Sequence, residues 1–387
     1  LGASYREFGF TNPILLRPNI TIGARHARWQ MAKAEGLDQV PTIMIAGLTE
    51  AQWDAYAIAD NQLPLNAGWD MGLLSSALKA ASGAGMDVAL LGFQPSDLRR
   101  ILGFGAGLTD PDAVVAIANQ TVSHVGDVWQ LGAHRVFCGD ATAAADVHRL
   151  LGRERPPLMV SDPPYGVEYS PEWRKAAGVS SSSRMGAVAN DDRADWREAW
   201  ALFPGDVAYV WHAGKFAGEV KQSLAACDFE IRAQIIWRKP RFAIGRGDYH
   251  WQHEPCWYAV RKGKASHWVG GRKQSTVWDI DGAHSDNPDS DENAFTVHGT
   301  QKPVECMRRP IENNSTAGDA IYDPFLGSGT TLIAAEQCER ICYGLEIDPR
   351  YVDVIVRRWQ AFTGKNAVLS DTGRSFEQLE RERKPKR

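Results

Sequence analysis

Ala320-Ile321-Tyr322-Asp323-Pro324-Phe325-Leu326-Gly327-Ser328-Gly329-Thr330-Thr331 is a short apolar run that ends in an acid and turns through two glycines into a helix reaching Cys338. A buried strand, a tight turn and a helix start, in that order, form the unit from which α/β sheets are built, and such sheets bind ligands beyond the carboxyl ends of their strands. The glycines let backbone amides approach a ligand closely at the helix N-terminus. Residue type excludes two common ligands of such turns. No lysine follows the second glycine, so this is not a P-loop, and Leu332 fills the third glycine position of the dinucleotide fingerprint. The acid at the turn would repel a phosphate and favour an ammonium. Ile341-Cys342-Tyr343-Gly344-Leu345-Glu346 reads as the next strand, and Glu346 ends it about 20 residues after the turn, where an acid commonly bridges ribose hydroxyls.

A second strand end lies far upstream. Pro157-Leu158-Met159-Val160 is a short apolar run, and Ser161-Asp162-Pro163-Pro164-Tyr165 follows it. Asp162 can accept a hydrogen bond from an amino group on a flat ring, the rigid Pro163-Pro164 backbone can direct a carbonyl at the second hydrogen, and Tyr165 can stack on the ring. Two acceptors on one amine draw its lone pair out of conjugation and leave the nitrogen able to attack a methyl group. Asp-Pro-Pro is also ordinary turn chemistry. Val136-Phe137-Cys138 is a further core strand within an expected strand pair, 126–132 and 134–142. Asp140 at its end is placed to accept from a bound adenine or, equally, to cap the helix that follows.

Taken together, Asp162 to Tyr165, Thr300-Gln301-Lys302-Pro303, Asp323 to Thr331 and Glu346 resemble, in this order, the DNA amino-methyltransferases that use S-adenosylmethionine. The tetrad precedes the glycine turn, as in their permuted β group. The resemblance covers residues 123 to about 363 and implies a doubly wound, mainly parallel α/β sheet, the S-adenosylmethionine-dependent methyltransferase fold. It implies catalysis by Asp162, Pro163, Pro164 and Tyr165. It implies a cofactor pocket formed by Asp140, Thr300, Lys302, Asp323, Phe325, Gly327, Ser328, Gly329, Thr330 and Glu346, with Asp140 on the adenine and the Thr300–Pro303 stretch along the methionine end. The expected reaction is methylation of N6 of an adenine flipped from duplex DNA. Serine commonly replaces the tetrad's aspartate in cytosine N4 enzymes, so Asp162 favours adenine, and cytosine N4 is the nearest alternative. A Pro-Cys pair, Pro255-Cys256, supplies the nucleophile in cytosine C5 enzymes; here it begins an apolar strand and is read as structural.

Four regions are expected. Residues 1–70 form a small mixed domain in which Gly23-Ala24-Arg25-His26-Ala27-Arg28 opens a helix, and the order of its elements resembles the ParB/sulfiredoxin-like domain of partition proteins. That resemblance implies a smaller N-terminal α+β domain, incomplete at its start, with a nucleotide as partner at Arg25 and Arg28. A solvated helix face explains the two arginines as well, and a non-catalytic ParB-like DNA-binding protein is the reading from another class. Residues 71–122 are a helical segment and linker, 123–370 the methyltransferase domain, and 371–387 a charged, frayed tail.

The 387 residues carry a formal net charge of −4, so DNA contact must come from local basic patches rather than a global field. Arg238, Lys239, Arg241 and Arg246, in an expected loop with Phe242, are the candidates, joined by Arg272 and Lys273. A solvated basic hairpin is the alternative. The six cysteines have no metal-ligand spacing and are read as reduced core thiols. No membrane partner and a cytoplasmic, bacterial or phage protein are expected, of a restriction-modification type; a homodimer and the recognition sequence stay open.

Overall fold

The structure, a computed structural model, describes residues 6–7, 9–62, 71–83, 86, 88–91, 93, 98, 107–118, 120–167, 190–243, 248–272, 274–280 and 301–383. Its contacts divide the chain into two units, Leu1–Phe104 and Gly105–Arg387. The serine run at 180–183, the acidic run at 286–292, Thr300, Arg246 and Lys273 lie outside the described residues.

In the first unit β1 (Ile14–Leu16) pairs antiparallel with β2 (Ile22–Ala24) and parallel with β3 (Thr42–Met44), in the order β2-β1-β3. The core is small: Leu15, Ala24 and Trp53. Gly23 is required here, because a Cβ would stand 2.3 Å from the Trp53 ring. The helix Glu50–Gln62 is held at its start by a reciprocal cap in which the Thr49 amide donates to Gln52 Oε1 (2.9 Å) and the Gln52 amide to Thr49 Oγ1 (3.3 Å). Arg25 stands left-handed, with φ 70°, at the N-cap of the helix His26–Ala34. Its guanidinium donates to the Pro13 carbonyl (3.1 Å) and pairs with Asp60 (3.3 Å), so it neither lies on a solvated face nor is free for a phosphate.

The second unit is built on one ten-stranded sheet. Its strands are β4 (Val128–Leu131), β5 (His134–Cys138), β6 (Leu158–Ser161), β7 (Val207–Trp211), β8 (Phe229–Ala243), β9 (Trp251–Arg261), β10 (Val277–Asp279), β11 (Ala320–Asp323), β12 (Ile341–Glu346) and β13 (Val368–Leu369). They lie in the order β10-β8-β9-β7-β6-β11-β12-β5-β4-β13. The run β7-β6-β11-β12-β5 is parallel throughout, and antiparallel pairing enters only through β9 and β4. Alternation along the central strands sorts side chains to two faces, Leu158 and Val160 to one and Met159 to the other. Helices Val304–Asn314, Thr330–Gln337 and Pro349–Thr363 fill the first face, and Ala144–Leu151, Arg197–Leu202 and Ala217–Ala226 the second. A parallel sheet covered on both faces is the doubly wound arrangement expected.

Three expectations change. First, residues 108–118 and 120–123 lie along the second unit instead of forming a linker. The Leu108 amide donates to the Phe362 carbonyl (2.7 Å), Asp112 Oδ1 accepts from the Val304 amide (2.8 Å) and the buried Asp353 carboxylate accepts from the amides of Val122 and Ser123 (2.7 and 2.9 Å). Second, the tail as far as Arg383 is docked rather than frayed: the helix Phe376–Arg383 buries Phe376 and Leu379, three residues apart on one side, with Phe376 5.3 Å from Trp129. Third, Arg238 to Ala243 continue β8 instead of forming a loop. Pairing runs from Arg238↔His253 to Ala243↔Trp251, and its register breaks in between, around Pro240, which has no N–H to give the ladder.

Candidate active site

The parallel run places four strand ends side by side. Asp162 follows β6, Asp323 ends β11, Glu346 ends β12 and Asp140 follows β5 by two residues. Two loops 162 residues apart in sequence thus share one edge of the sheet, and they are tied directly: Ser161 Oγ donates to Asp323 Oδ1 at 2.9 Å.

The glycine turn is shaped by its backbone. Gly327 (φ 54°) and Gly329 (φ 86°) are both left-handed, and a Cβ on Gly329 would press on Ile355 at 3.2 Å, whereas one on Gly327 would stand in open space. Glu346 Oε2 accepts from the Gly327 amide (2.8 Å) and Oε1 from the Asp348 amide (2.9 Å), which fixes the carboxylate against the turn. Ser328 Oγ donates to Gln301 Oε1 (3.2 Å), and Arg358 reaches the Ser328 carbonyl and hydroxyl and Thr330 Oγ1 at 3.1 to 3.2 Å. The same guanidinium donates to the Pro111 carbonyl (2.7 Å), and Gln301 Nε2 to that of Asp112 (3.0 Å), so the strap over residues 108–118 braces the turn. Sequence reading missed this brace, since nothing local marks Arg358 or Asp112 as partners of a glycine turn.

Several expected pocket residues have other duties. Asp323 is buried, and its Oδ1 accepts from the Phe325 amide as well as from Ser161, so it braces the two loops rather than opening to a ligand's ammonium. Burial pushes its carboxyl up to about 6. Phe325 packs edge-on against Trp196 and Trp200, with centroids 4.7 and 5.8 Å away. Asp140 does not cap the helix; its Oδ1 accepts from the Thr142 amide and hydroxyl, both at 2.8 Å, in a local turn. Ile347, 39% exposed beside Glu346, offers a flat apolar surface that the sequence reading left unnamed.

Burial pushes the Glu346 carboxyl up to about 7 against the amides of Asp348 and Gly327, which pull the other way. Between its ordinary 4.5 and about 7 the folded chain holds a proton that the unfolded chain has released, so Glu346 costs stability as pH rises through that window. The Tm of Glu346→Gln relative to the parent, both without cofactor, should therefore increase from about pH 5 to about pH 8. A Tm difference that stays flat across the window would refute this.

Lys302 is the largest departure. Its side chain, 5% exposed, does not turn to the glycine loop but donates to Asp162 Oδ1 (2.7 Å), to the Tyr165 hydroxyl (2.6 Å) and to Glu254 Oε2 (2.9 Å). Tyr165 in turn donates to Asp162 Oδ1 (2.7 Å). Lys239 pairs with the far oxygen of Glu254, which removes it from the expected phosphate-binding set. Burial pushes Asp162 up, and Lys302 offsets only part of that. Burial acts the same way on Glu254, yet the two lysines hold it below the usual carboxylate range. Lys302 is raised, its carboxylate partners outweighing burial. Among the described residues, both hydrogen bonds on Asp162 converge on Oδ1, which leaves Oδ2 open. The Pro164 carbonyl accepts from the Trp196 indole (3.0 Å), and among the described residues the Pro163 carbonyl has no such bond.

Away from this edge, Arg238 is exposed and paired with Asp279, and Arg272 is exposed. Arg241 lies in β8, its side chain outside the described residues. Phe242, Tyr249 and Trp251 are 54%, 92% and 53% exposed on the same hairpin. All six cysteines are unpaired, and Cys256 is buried in β9 with its thiol pushed well up by burial, unsuited to act as a nucleophile. Among the described residues no helix is long and apolar enough to cross a membrane.

A family model for DNA methylases, of the N6 and N4 type, matches residues 157–357, more than half of the chain and both loops of the site. The chain belongs to this DNA methylase family. Among its relatives is the type II methyltransferase M.Cfr9I of Citrobacter freundii, 29% identical over 147 residues, which are 34% of this chain and 44% of that one. Another is the type II methyltransferase M2.DpnII of Streptococcus pneumoniae, 25% identical over 250 residues, 56% of this chain and 88% of the relative. Among solved structures, an M1.HpyAVI–SAM complex aligns at 19% identity and TM-score 0.40, covering 58% of this chain and 98% of that one. The cytosine-N4-specific PvuII DNA methyltransferase aligns at 14% and 0.42, covering 69% and 95%. This DNA methylase thus carries the family's matched span on its second unit, with the first unit outside it.

Proposed function

We propose that this DNA methylase transfers a methyl group from S-adenosylmethionine to the exocyclic N6 of an adenine turned out of duplex DNA. The observation that carries this reading is Asp162, with one oxygen open, on the strand end next to the glycine turn and joined to it through Ser161 and Asp323. The tetrad's aspartate, where cytosine N4 enzymes commonly have serine, supports adenine. The order of tetrad before glycine turn supports assignment to the permuted β group.

The residues present fit the cofactor. The carboxylates of Glu346 and Asp140 suit ribose hydroxyls and an adenine amine, Ile347 suits the ring, and the empty space above Gly327 admits close backbone approach. When bound, S-adenosylmethionine supplies an electrophilic methyl group on a sulfonium. Asp162 Oδ2 and the Pro163 carbonyl accept the two amine hydrogens of the target base and draw its lone pair out of the ring. Tyr165 offers its ring face to the base, recovering part of the few kcal/mol that unstacking costs. Burial, which raises Asp162, also fits it to take the proton that the methylated nitrogen gives up. Arg238, with Phe242, Tyr249 and Trp251 of the β8–β9 hairpin, forms the surface proposed for DNA.

The first unit is read as ParB-like on the order of its elements alone; with Arg25 held by Asp60, no nucleotide is assigned to it. Incubation with methyl-labelled S-adenosylmethionine and genomic DNA, followed by digestion to nucleosides, tests the function. Label in N6-methyladenine is expected. Label in N4-methylcytosine would overturn the choice of base, and label in 5-methylcytosine, in RNA only, or nowhere would overturn the reading.

A further inference from the structure

The antiparallel strand β9 begins beyond the end of β7: Cys256 pairs with Trp211, the last residue of β7, so Glu254 overhangs the carboxyl edge of the sheet. There it meets Lys302, with Lys239 brought beside it from β8. The three N–H donors of the Lys302 ammonium are all used, by Asp162, Tyr165 and Glu254, and the ammonium also sits 5.0 Å from the Tyr165 ring centroid and 5.4 Å from that of Trp211. Four charged groups, none more than 26% exposed, are gathered beneath the proposed amine site. Buried ion pairs are weak stabilisers, because desolvation cancels most of their attraction, so folding alone gives little reason for the cluster.

We propose that Glu254 is a positioning residue for the target amine: it shares the Lys302 ammonium with Asp162 Oδ1, which leaves Oδ2 for the incoming base and adds negative charge beside the nitrogen that turns positive. The inference rests on the reading of Asp162 as the acceptor of that amine. Lys302 paired with Asp162 alone would cancel its charge at the place where the target nitrogen turns positive. Glu254 shares that ammonium and so preserves the field of Asp162. Lys239, on the other oxygen of Glu254 and 4.9 Å from the Trp237 ring, steadies the acid without reaching Asp162.

The test uses the full chain and a duplex carrying a site located by sequencing the methylated genomic DNA. Glu254→Gln keeps the shape and removes the charge; kcat should fall about 100-fold, while the KM for S-adenosylmethionine changes less than about two-fold. In the double variant Glu254→Gln/Lys302→Met both charges go together, and kcat should recover by about ten-fold over Glu254→Gln. A readout independent of turnover is the fluorescence of the same duplex with 2-aminopurine at the target position, bound without cofactor. The rise on flipping should be reduced in Glu254→Gln and restored in the double variant. A double variant no faster than Glu254→Gln, an unchanged kcat in Glu254→Gln, or a loss expressed only in cofactor KM would overturn the proposal. Should the parent protein methylate no DNA amine, the amine-acceptor reading itself fails; should it methylate and only the rescue fail, Glu254 alone is misassigned.

Discussion

Replacing Asp162 with alanine should abolish methyl transfer, by about 1,000-fold or more, and leave the affinity for S-adenosylmethionine within about three-fold of the parent. The size of the effect follows from geometry. Asp162 has, among the described residues, its Oδ2 left open toward a base, and the substitution removes the acceptor that turns an aromatic amine into a nucleophile. It also leaves Lys302 facing Tyr165 and Glu254, a cluster one negative charge short. The glycine turn and Glu346 are untouched, since the tie between the two loops runs through Ser161 and not through Asp162. Single-turnover transfer to genomic DNA and equilibrium binding of the cofactor check the two halves separately. Loss of both together would move Asp162 into the cofactor pocket and remove it from the amine.

The second large effect is expected at Arg358, whose side chain is buried 30 residues from the turn that it braces. Arg358→Met leaves the carbonyls of Ser328 and Pro111 without their donor and loosens both the glycine turn and the strap. Buried acceptors stripped of a charged donor cost about 2–4 kcal/mol in total, so a fall in Tm of several degrees is expected. Cofactor Kd should rise by about ten-fold or more, because the turn that presents backbone amides is no longer held in one conformation. Burial pulls the guanidinium down to about 10, still above neutrality, so the lost interaction is that of a cation near pH 7. Lysine is not expected to rescue, since one ammonium cannot span Ser328, Thr330 and Pro111 as a planar fork does. Denaturation curves and cofactor titration read the two effects, and an unchanged Kd would show that the turn holds its shape without the brace.

Much of the second unit was legible before any coordinates. The runs ending at Val160, Asp323 and Glu346 became β6, β11 and β12, and the acids after or at their ends arrived on one edge. Those are short-range signals: an apolar run of strand length, a turn residue and a helix start act within a dozen residues. The misread segments were those whose conformation is settled by distant partners. The strap looks like a linker until Asp112 meets the Val304 amide. The tail looks solvated until Phe376 finds Trp129. The basic stretch after Trp237 looks like a loop until β9 pairs with it past Pro240.

The amino-acid order by itself determined which loops carry the chemistry, because an acid before two prolines and an acid before a glycine turn are defined by neighbours along the chain. Only the tertiary structure decided what those acids face. Lys302 reaches Asp162 across 140 residues and Tyr165 reaches Glu254 across 89, and both meetings depend on how far the β8–β9 hairpin overhangs the sheet. That overhang is a property of strand register, and a two-residue shift in it would carry Glu254 away from Lys302 without altering a single motif.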